Sequence, residues 1–580
     1  MKKFLKYFLV LLAGFGLGIV SLVVIFAVMV AGFSNSKENV KIEDNSVLTI
    51  TLPSDLSEQG VEDPISELFG NEDSENFGLN DIKVALNRAT KDSKIKGIIL
   101  RPGFYSGGLA HADEIRQYIN EFKASGKWII AYGEIFTEQG YYIASACNEA
   151  YLNPKGMLEF NGLSSNIVMY KGLLDKLGVN FQVFKVGKFK GAVEPFVLDK
   201  LSEENKFQIT TYLTSLYKHQ VSEIGKSRKL EFDTLWGISQ KGLVFTAKDA
   251  LNCHLVDKLV YEDELMSIIK RKSSTYQFTN LSKYLESDDN YKYAEEKIAI
   301  IYAEGDIMPG KSENNSQIAS ETFIKTLKEV SNDKSIKAIV VRVNSPGGSS
   351  MASDIIAKEI KLAKKNKPVI FSYGNVAASG GYYISCVGDS IFALPNTVTG
   401  SIGVFAMVAN TENLFGQKLG LKYETVNVGE MAELWRPDRG MDASQSMMMQ
   451  NAVNNIYDDF ISIVSEGRHI EKSVVNDLAQ GRVYSGEDAL KLKLIDGIGN
   501  IDRAVLSAKR MAKLKDYKIV EYPEAKGLLE KIIDRSSNKE SQMKEILIQA
   551  GLDIKTINDI TSVRQMQGMQ MRLPWSIDIR

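Results

Sequence analysis

The chain has 580 residues, 44% of them hydrophobic and 24% charged, which allows sizeable cores and, at ~100–200 residues per domain, two to four domains. A net charge of −2 without a basic stripe excludes nucleic acid as an expected partner, and the basic run at Lys361–Lys367 reads as a solvated helix face. Three scattered cysteines (Cys147, Cys253, Cys386) exclude a disulfide framework and a zinc site, and the four histidines (His111, His219, His254, His469) have no metal-ligand spacing.

In chain order, a basic segment 1–6 carrying Lys2, Lys3 and Lys6 precedes an uncharged stretch from Tyr7 to Phe33. That stretch exceeds the ~7–15-residue apolar core of a cleavable signal peptide and meets the ~20 residues needed to span ~30 Å of hydrocarbon. It predicts a transmembrane anchor at 7–33 with the remainder extracytoplasmic, because short basic flanks stay in the cytoplasm. A signal peptide cut near Ala31-Gly32 is the competing reading and places the globular part on the same side. Residues 34–46 are polar and predict a linker.

Beyond the linker the sequence repeats itself. Ile95–Arg101 (IKGIILR) matches Ile336–Arg342 (IKAIVVR) at a shift of 241, and Gly140-Tyr141-Tyr142-Ile143 matches Gly381-Tyr382-Tyr383-Ile384. Leu177-Gly178 and Val186-Gly187 match Leu419-Gly420 and Val428-Gly429 at 242. Such self-similarity marks two copies of one unit, here 47–275 and 296–515. Short β-branched runs alternate with amphipathic stretches such as Ala112–Lys123 and Ala352–Lys365, which predicts βαβ units in a layered α/β fold. Residues 516–580 have a helical pattern and no counterpart in the first copy.

The second copy holds two glycine turns suited to acyl transfer. Asn344-Ser345-Pro346-Gly347-Gly348-Ser349 follows a strand, and Ala377-Ala378-Ser379-Gly380-Gly381-Tyr382 joins a strand to a helix. Ser379 at that helix start, beside N–H groups of Gly380 and the Gly347-Gly348 loop, would have an oxyanion hole around the carbonyl it attacks. The alternative is that Ser379 is a helix N-cap. No histidine occupies either turn, so a Ser–His–Asp triad is weakly supported. The remaining base is a lysine made neutral by burial. Lys185, Lys188 and Lys190 compete: in an extended segment Lys188 and Lys190 share a side and Lys185 points away, so alternation excludes only Lys185.

On these motifs, with Thr399-Gly400-Ser401-Ile402-Gly403 and Lys190-Gly191-Ala192-Val193-Glu194-Pro195-Phe196, the sequence resembles the signal peptide peptidase A family of membrane-bound serine proteases in its long, tandem form. The resemblance implies two tandem crotonase/Clp-like α/β repeats, Ser379 as nucleophile, Lys190 as general base and Ser401 as the group orienting the lysine amine. It also implies peptide substrates of signal-peptide type, no metal or organic cofactor, and a homotetrameric ring or dome of about four chains in a bacterial inner membrane.

The duplication bears on this division of roles. Ser379 falls opposite Glu138 and Lys190 opposite Ala432, so each copy has one partner and lacks the other, as expected for one composite site. Two other readings stand beside it: a catalytically inactive protease-fold scaffold of a membrane complex, and an acyl-CoA-type hydrolase on a crotonase-like fold.

Overall fold

A computed structural model describes residues 41–60, 77–273, 277–287, 294–312, 317–429, 431–523 and 568–573. The expected anchor at 7–33 lies outside the described residues, and among the described residues no helix is long and apolar enough to cross a membrane.

The β-branched runs form parallel strands. In the first copy Lys258–Leu259, Glu149–Leu158, Trp128–Phe136, Ile95–Arg101, Ser46–Thr51 and Phe278–Asn280 lie side by side in that order, all parallel. The second copy repeats the plan in the order Val483–Ser485, Val398–Gly400, Val369–Ala378, Ile336–Ser345, Lys297–Glu304, Lys518–Tyr522, with Val483–Ser485 antiparallel to its neighbour. Strands buried on both faces read as continuous apolar runs, as Ile339-Val340-Val341 does. Each unit has its own large core, with Ile98, Leu100 and Tyr141 in the first and Ile339, Val341 and Tyr382 in the second.

The duplication extends to helix ends. Glu203–Arg228 starts at Ser202, whose side chain accepts from the Asn205 N–H, and stops at Lys229 in the left-handed region. Ala443–Arg468 starts at Asp442, which forms a reciprocal cap with Gln445, and stops at His469 in the same conformation.

A third sheet joins the copies. Asn180–Val186 of the first pairs antiparallel with Val404–Asn410 of the second, Val186 facing Val404 and Asn180 facing Asn410. A buried ionic cluster also crosses the junction. The Arg342 Nε donates to Glu58 at 2.8 Å and its Nη2 to Glu114 at 2.7 Å, while the second oxygen of Glu58 meets His111 Nε2 at 2.9 Å. Burial pushes the Glu58 carboxyl up, but Arg342 and His111 outweigh it and hold the group at about 2. Arg101, the counterpart of Arg342, pairs instead with Glu262 at the surface.

The expectation of a helical segment at 516–580 needs correction where the structure describes it. Lys518–Tyr522 is a strand parallel to Lys297–Glu304, and Met569–Arg572 is a strand in the shared sheet. The physical reason is that Lys518-Ile519-Val520-Glu521-Tyr522 carries β-branched and aromatic side chains that fit an open sheet edge. The first unit's sheet likewise runs past residue 275 to Phe278–Asn280.

Candidate active site

Ser379 joins the strand Val369–Ala378 to the helix Gly380–Ser385 with φ 54° and ψ −112°. Few non-glycine residues hold a positive φ, and such backbone is costly unless the surroundings fix it. Here they do: the Ser379 N–H donates to the Gly400 carbonyl at 2.8 Å, and the Ser379 carbonyl accepts from Tyr383 at 2.8 Å. Its hydroxyl makes no cap bond to the helix, so the N-cap alternative does not describe it. In the first copy the equivalent helix is capped by Thr137, which accepts from Gly140 at 3.0 Å.

The Ser379 hydroxyl turns to Lys190, which comes from the other repeat. Lys190 Nζ lies 2.9 Å from Ser379 Oγ, 3.0 Å from Ser401 Oγ and 3.1 Å from the Ser401 carbonyl oxygen. All three residues are fully buried. Burial alone drives the Lys190 amine well below its ordinary range, which favours the neutral form. A neutral amine has two hydrogens and one lone pair, enough to donate in two of these contacts and accept in the third.

The motif around Lys190 explains how the amine is held. The chain turns at Gly187, whose carbonyl accepts from the Lys190 N–H at 3.1 Å, so the segment is not extended. That turn separates two side chains that strict alternation leaves together. Lys188 is exposed, its amine 5.3 Å from the centre of the Phe189 ring, whereas Lys190 is buried. Phe189 donates its N–H to Gln480 at 2.9 Å and its carbonyl accepts from Gln208 Nε2 at 2.8 Å. Gly481 backs the loop: a side chain there would come 2.7 Å from the Lys190 nitrogen. Glu194 accepts from the Asn205 side chain at 2.6 Å and the Ser202 hydroxyl at 2.7 Å, and Phe196 packs with Phe405 and Met407.

Gly347 and Gly348 both have positive φ, 101° and 157°. A Cβ on Gly347 would lie 2.6 Å from the Gly380 nitrogen, so only glycine lets the two turns approach. The structure thus brings together Gly347, Gly380 and Ser379. The Gly347 N–H donates to Ser345 Oγ at 3.2 Å, a contact that no motif signals.

Two of the four histidines are engaged elsewhere: His111 with Glu58, and His219 with Glu487, each at 2.9 Å. Among the described residues no group of His, Cys, Asp and Glu is arranged to hold a metal ion. Cys147 and Cys386 are buried, and burial pushes both thiols up to about 12. In the first copy Glu138 fills the place of the serine. Its carboxylate accepts from the Asn161 N–H at 2.7 Å and the Gly162 N–H at 3.2 Å, and burial, partly offset by those bonds, raises it to about 7.

The fold and its relatives are those of a serine protease built from two copies of one α/β unit. The peptidase family S49 pattern matches twice, at residues 121–275 and 361–515, and a Clp protease pattern matches 290–399. Protease 4 of Haemophilus influenzae is 32% identical over 511 residues, covering 84% of this chain and 83% of its own length. The chloroplastic serine protease SPPA of Arabidopsis thaliana is 31% identical over 492 residues, covering 82% and 70%. A shorter relative from Enterococcus faecium, provisionally named signal peptide peptidase SppA, is 37% identical over 210 residues, 36% of this chain and 61% of its own. The chain belongs to peptidase family S49.

Proposed function

We propose that this chain is a membrane-anchored serine endopeptidase in which Ser379 attacks a peptide carbonyl and Lys190 is its general base. Neutral Lys190 takes the hydroxyl proton as the Cα-carbonyl carbon is attacked, and Ser401 orients the amine. N–H groups near Gly347, Gly348 and Gly380 receive the oxyanion. Lys190 then gives its proton to the leaving amine, and water releases the acyl-enzyme. The observation that carries this reading is the 2.9 Å contact between a fully buried lysine of one repeat and the serine of the other.

The substrates are cleaved signal peptides and other short membrane-associated or exported peptides, in keeping with the name of the Enterococcus relative. The anchor is the uncharged stretch 7–33, with the catalytic part outside the inner membrane, and the working form is a homotetramer. The test is hydrolysis of a fluorogenic leucine-rich peptide by the detergent-solubilised full chain, beside Ser379→Ala and Lys190→Ala. Both variants should fold and lose at least 1,000-fold in kcat/KM, on the order of a lost nucleophile or base. Full activity in Lys190→Ala would reject the base, and a wild type inert on every peptide would favour the inactive scaffold.

A further inference from the structure

The first repeat keeps the outline of the catalytic turn without its chemistry. Gly107-Gly108 stand where the second repeat has Gly347-Gly348, at a shift of 240, and Gln139 stands where it has Gly380, at 241. Gly108 keeps a positive φ of 94°. Its N–H donates to Gln139 Oε1 at 3.2 Å, so a side chain of the repeat itself takes the place an oxyanion would have. Asn375 reaches in from the second repeat: its Nδ2 donates to the Gly107 carbonyl at 3.1 Å, and its Oδ1 accepts from the His111 N–H at 3.0 Å. The N–H groups of Gly108 and His111, at the start of the helix Leu109–Ala124, are thus already taken by protein oxygens.

A cavity of about 220 Å³ lies at this turn, between the repeats. It is far larger than the ~10–15 Å³ that a single water needs, and smaller than the ~300–1,000 Å³ of sites for drug-sized ligands. Leu109, Val376 and Val398 give it apolar walls, and the exposed Asp55 lies at its rim. Asn396, only 2% exposed, also lines it. The Asn396 Nδ2 donates to Asp113 Oδ1 at 3.1 Å, and its backbone N–H donates to Asp113 Oδ2 at 3.2 Å. Asp113 thus accepts at both oxygens, which sets the amide nitrogen toward it and the amide oxygen away. That amide oxygen has no partner among the described residues. A buried acceptor without a donor is costly, and this one belongs to the wall of a cavity with room to admit a donor.

We propose that this cavity is a binding site for an aliphatic primary ammonium ion, supplied by the amino terminus of a short peptide or by a free alkylamine. The lining matches that chemistry. Asn396 Oδ1 takes an N–H in a buried setting, the Asp55 carboxylate brings negative charge to the rim, and the three apolar side chains cover the alkyl part. Hydrogen bonds to a charged group are the strong ones, worth about 10-fold or more in affinity. An occupant would also touch the catalytic strands. Val376 and Val398 are paired neighbours in the sheet, and three residues further on their strands lead to Ser379 and Ser401.

The test is isothermal titration calorimetry of the detergent-solubilised full chain carrying Ser379→Ala, with leucinamide, 3-methylbutylamine and N-acetylleucinamide as probes. Leucinamide imitates a peptide amino terminus, the second probe keeps only the ammonium and alkyl groups, and the third has no charge. Leucinamide should bind about 10-fold more tightly than N-acetylleucinamide, or better. Adding Asn396→Leu, which puts a methyl group in place of the unpaired oxygen, should abolish that difference. Adding Asp55→Asn, at the exposed rim, should leave the melting transition unchanged and weaken leucinamide binding ~2–5-fold. Equal affinity for 3-methylbutylamine and leucinamide would support a site for alkylamines in general, and weaker binding of 3-methylbutylamine a site for peptide termini. No binding of either amine, equal binding of the acetylated probe, or unchanged affinity in both variants while they melt cooperatively would overturn the proposal.

Discussion

Replacing Arg342 by methionine removes the guanidinium that ties Glu58 and Glu114 of the first repeat to the second. Both carboxylates would be left in the junction, where Glu58 is 3% and Glu114 1% exposed. Two routes give the size of the effect. Removing one partner of a buried ion pair destabilises by about 3–5 kcal/mol. Independently, the Glu58 carboxyl falls from 4.5 to about 2, and at ~1.4 kcal/mol per tenfold in proton affinity this is ~3 kcal/mol, part of it from His111. A group with a depressed folded pKa stabilises above its unfolded pKa, and that contribution fades as pH falls from 4.5 toward 2. Arg342→Met should therefore lose ~3–5 kcal/mol in urea unfolding at pH 7, and the deficit should shrink at pH 4 as the stranded carboxylates take up protons. Adding Glu58→Gln and Glu114→Gln should recover part of the loss. A deficit below ~1 kcal/mol at pH 7, or one that widens on acidification, would show that Arg342 does not hold the two carboxylates in the junction.

Four further outcomes are expected. Burial lowers the Lys190 pKa, so the folded state binds fewer protons than the unfolded state and stability rises with pH toward 10.5; Lys190→Met should be inactive yet melt above wild type at pH 7, with the gap narrowing by pH 10. For the same reason kcat/KM should rise with pH as Lys190 deprotonates, and Lys190→Arg, which keeps its charge, should be inactive across the range. Ser379→Gly relieves a positive φ worth about 1–3 kcal/mol and adds about 0.5–1 kcal/mol of glycine entropy, so it should gain ~1 kcal/mol by denaturant unfolding while losing peptidase activity. Glu138 has its folded pKa raised to about 7, so its contribution is present below 4.5 and lost as pH rises through 7; Glu138→Gln should match wild type at pH 4, exceed it by about 1–3 kcal/mol at pH 8, and leave activity unchanged.

Much of this was legible in the sequence because the motifs are local and the fold is duplicated. The strand runs IKGIILR and IKAIVVR, the two glycine turns and the complementary loss of Ser379 and Lys190 partners all survive as short patterns. What escaped depends on contacts between distant segments. Alternation could not separate Lys188 from Lys190, because the turn at Gly187 and the backing by Gln480 and Gly481 appear only once the two repeats meet. The bond between Asn205 and Glu194 likewise forms only once the helix Glu203–Arg228 closes on the Lys190 loop. The C-terminal strand was unreadable for a related reason: the pairing of Met569–Arg572 is set by elements more than 150 residues away.

In the proposed mechanism one buried lysine of the first repeat activates one serine of the second. This activation is tested most directly by reaction with a fluorophosphonate probe, locating the adduct by peptide mass spectrometry in wild type, Lys190→Ala and Lys188→Ala. An adduct should form on Ser379 in wild type and in Lys188→Ala, with at least a 100-fold slower reaction in Lys190→Ala. An adduct on another residue, or wild-type labelling in Lys190→Ala, would contradict it.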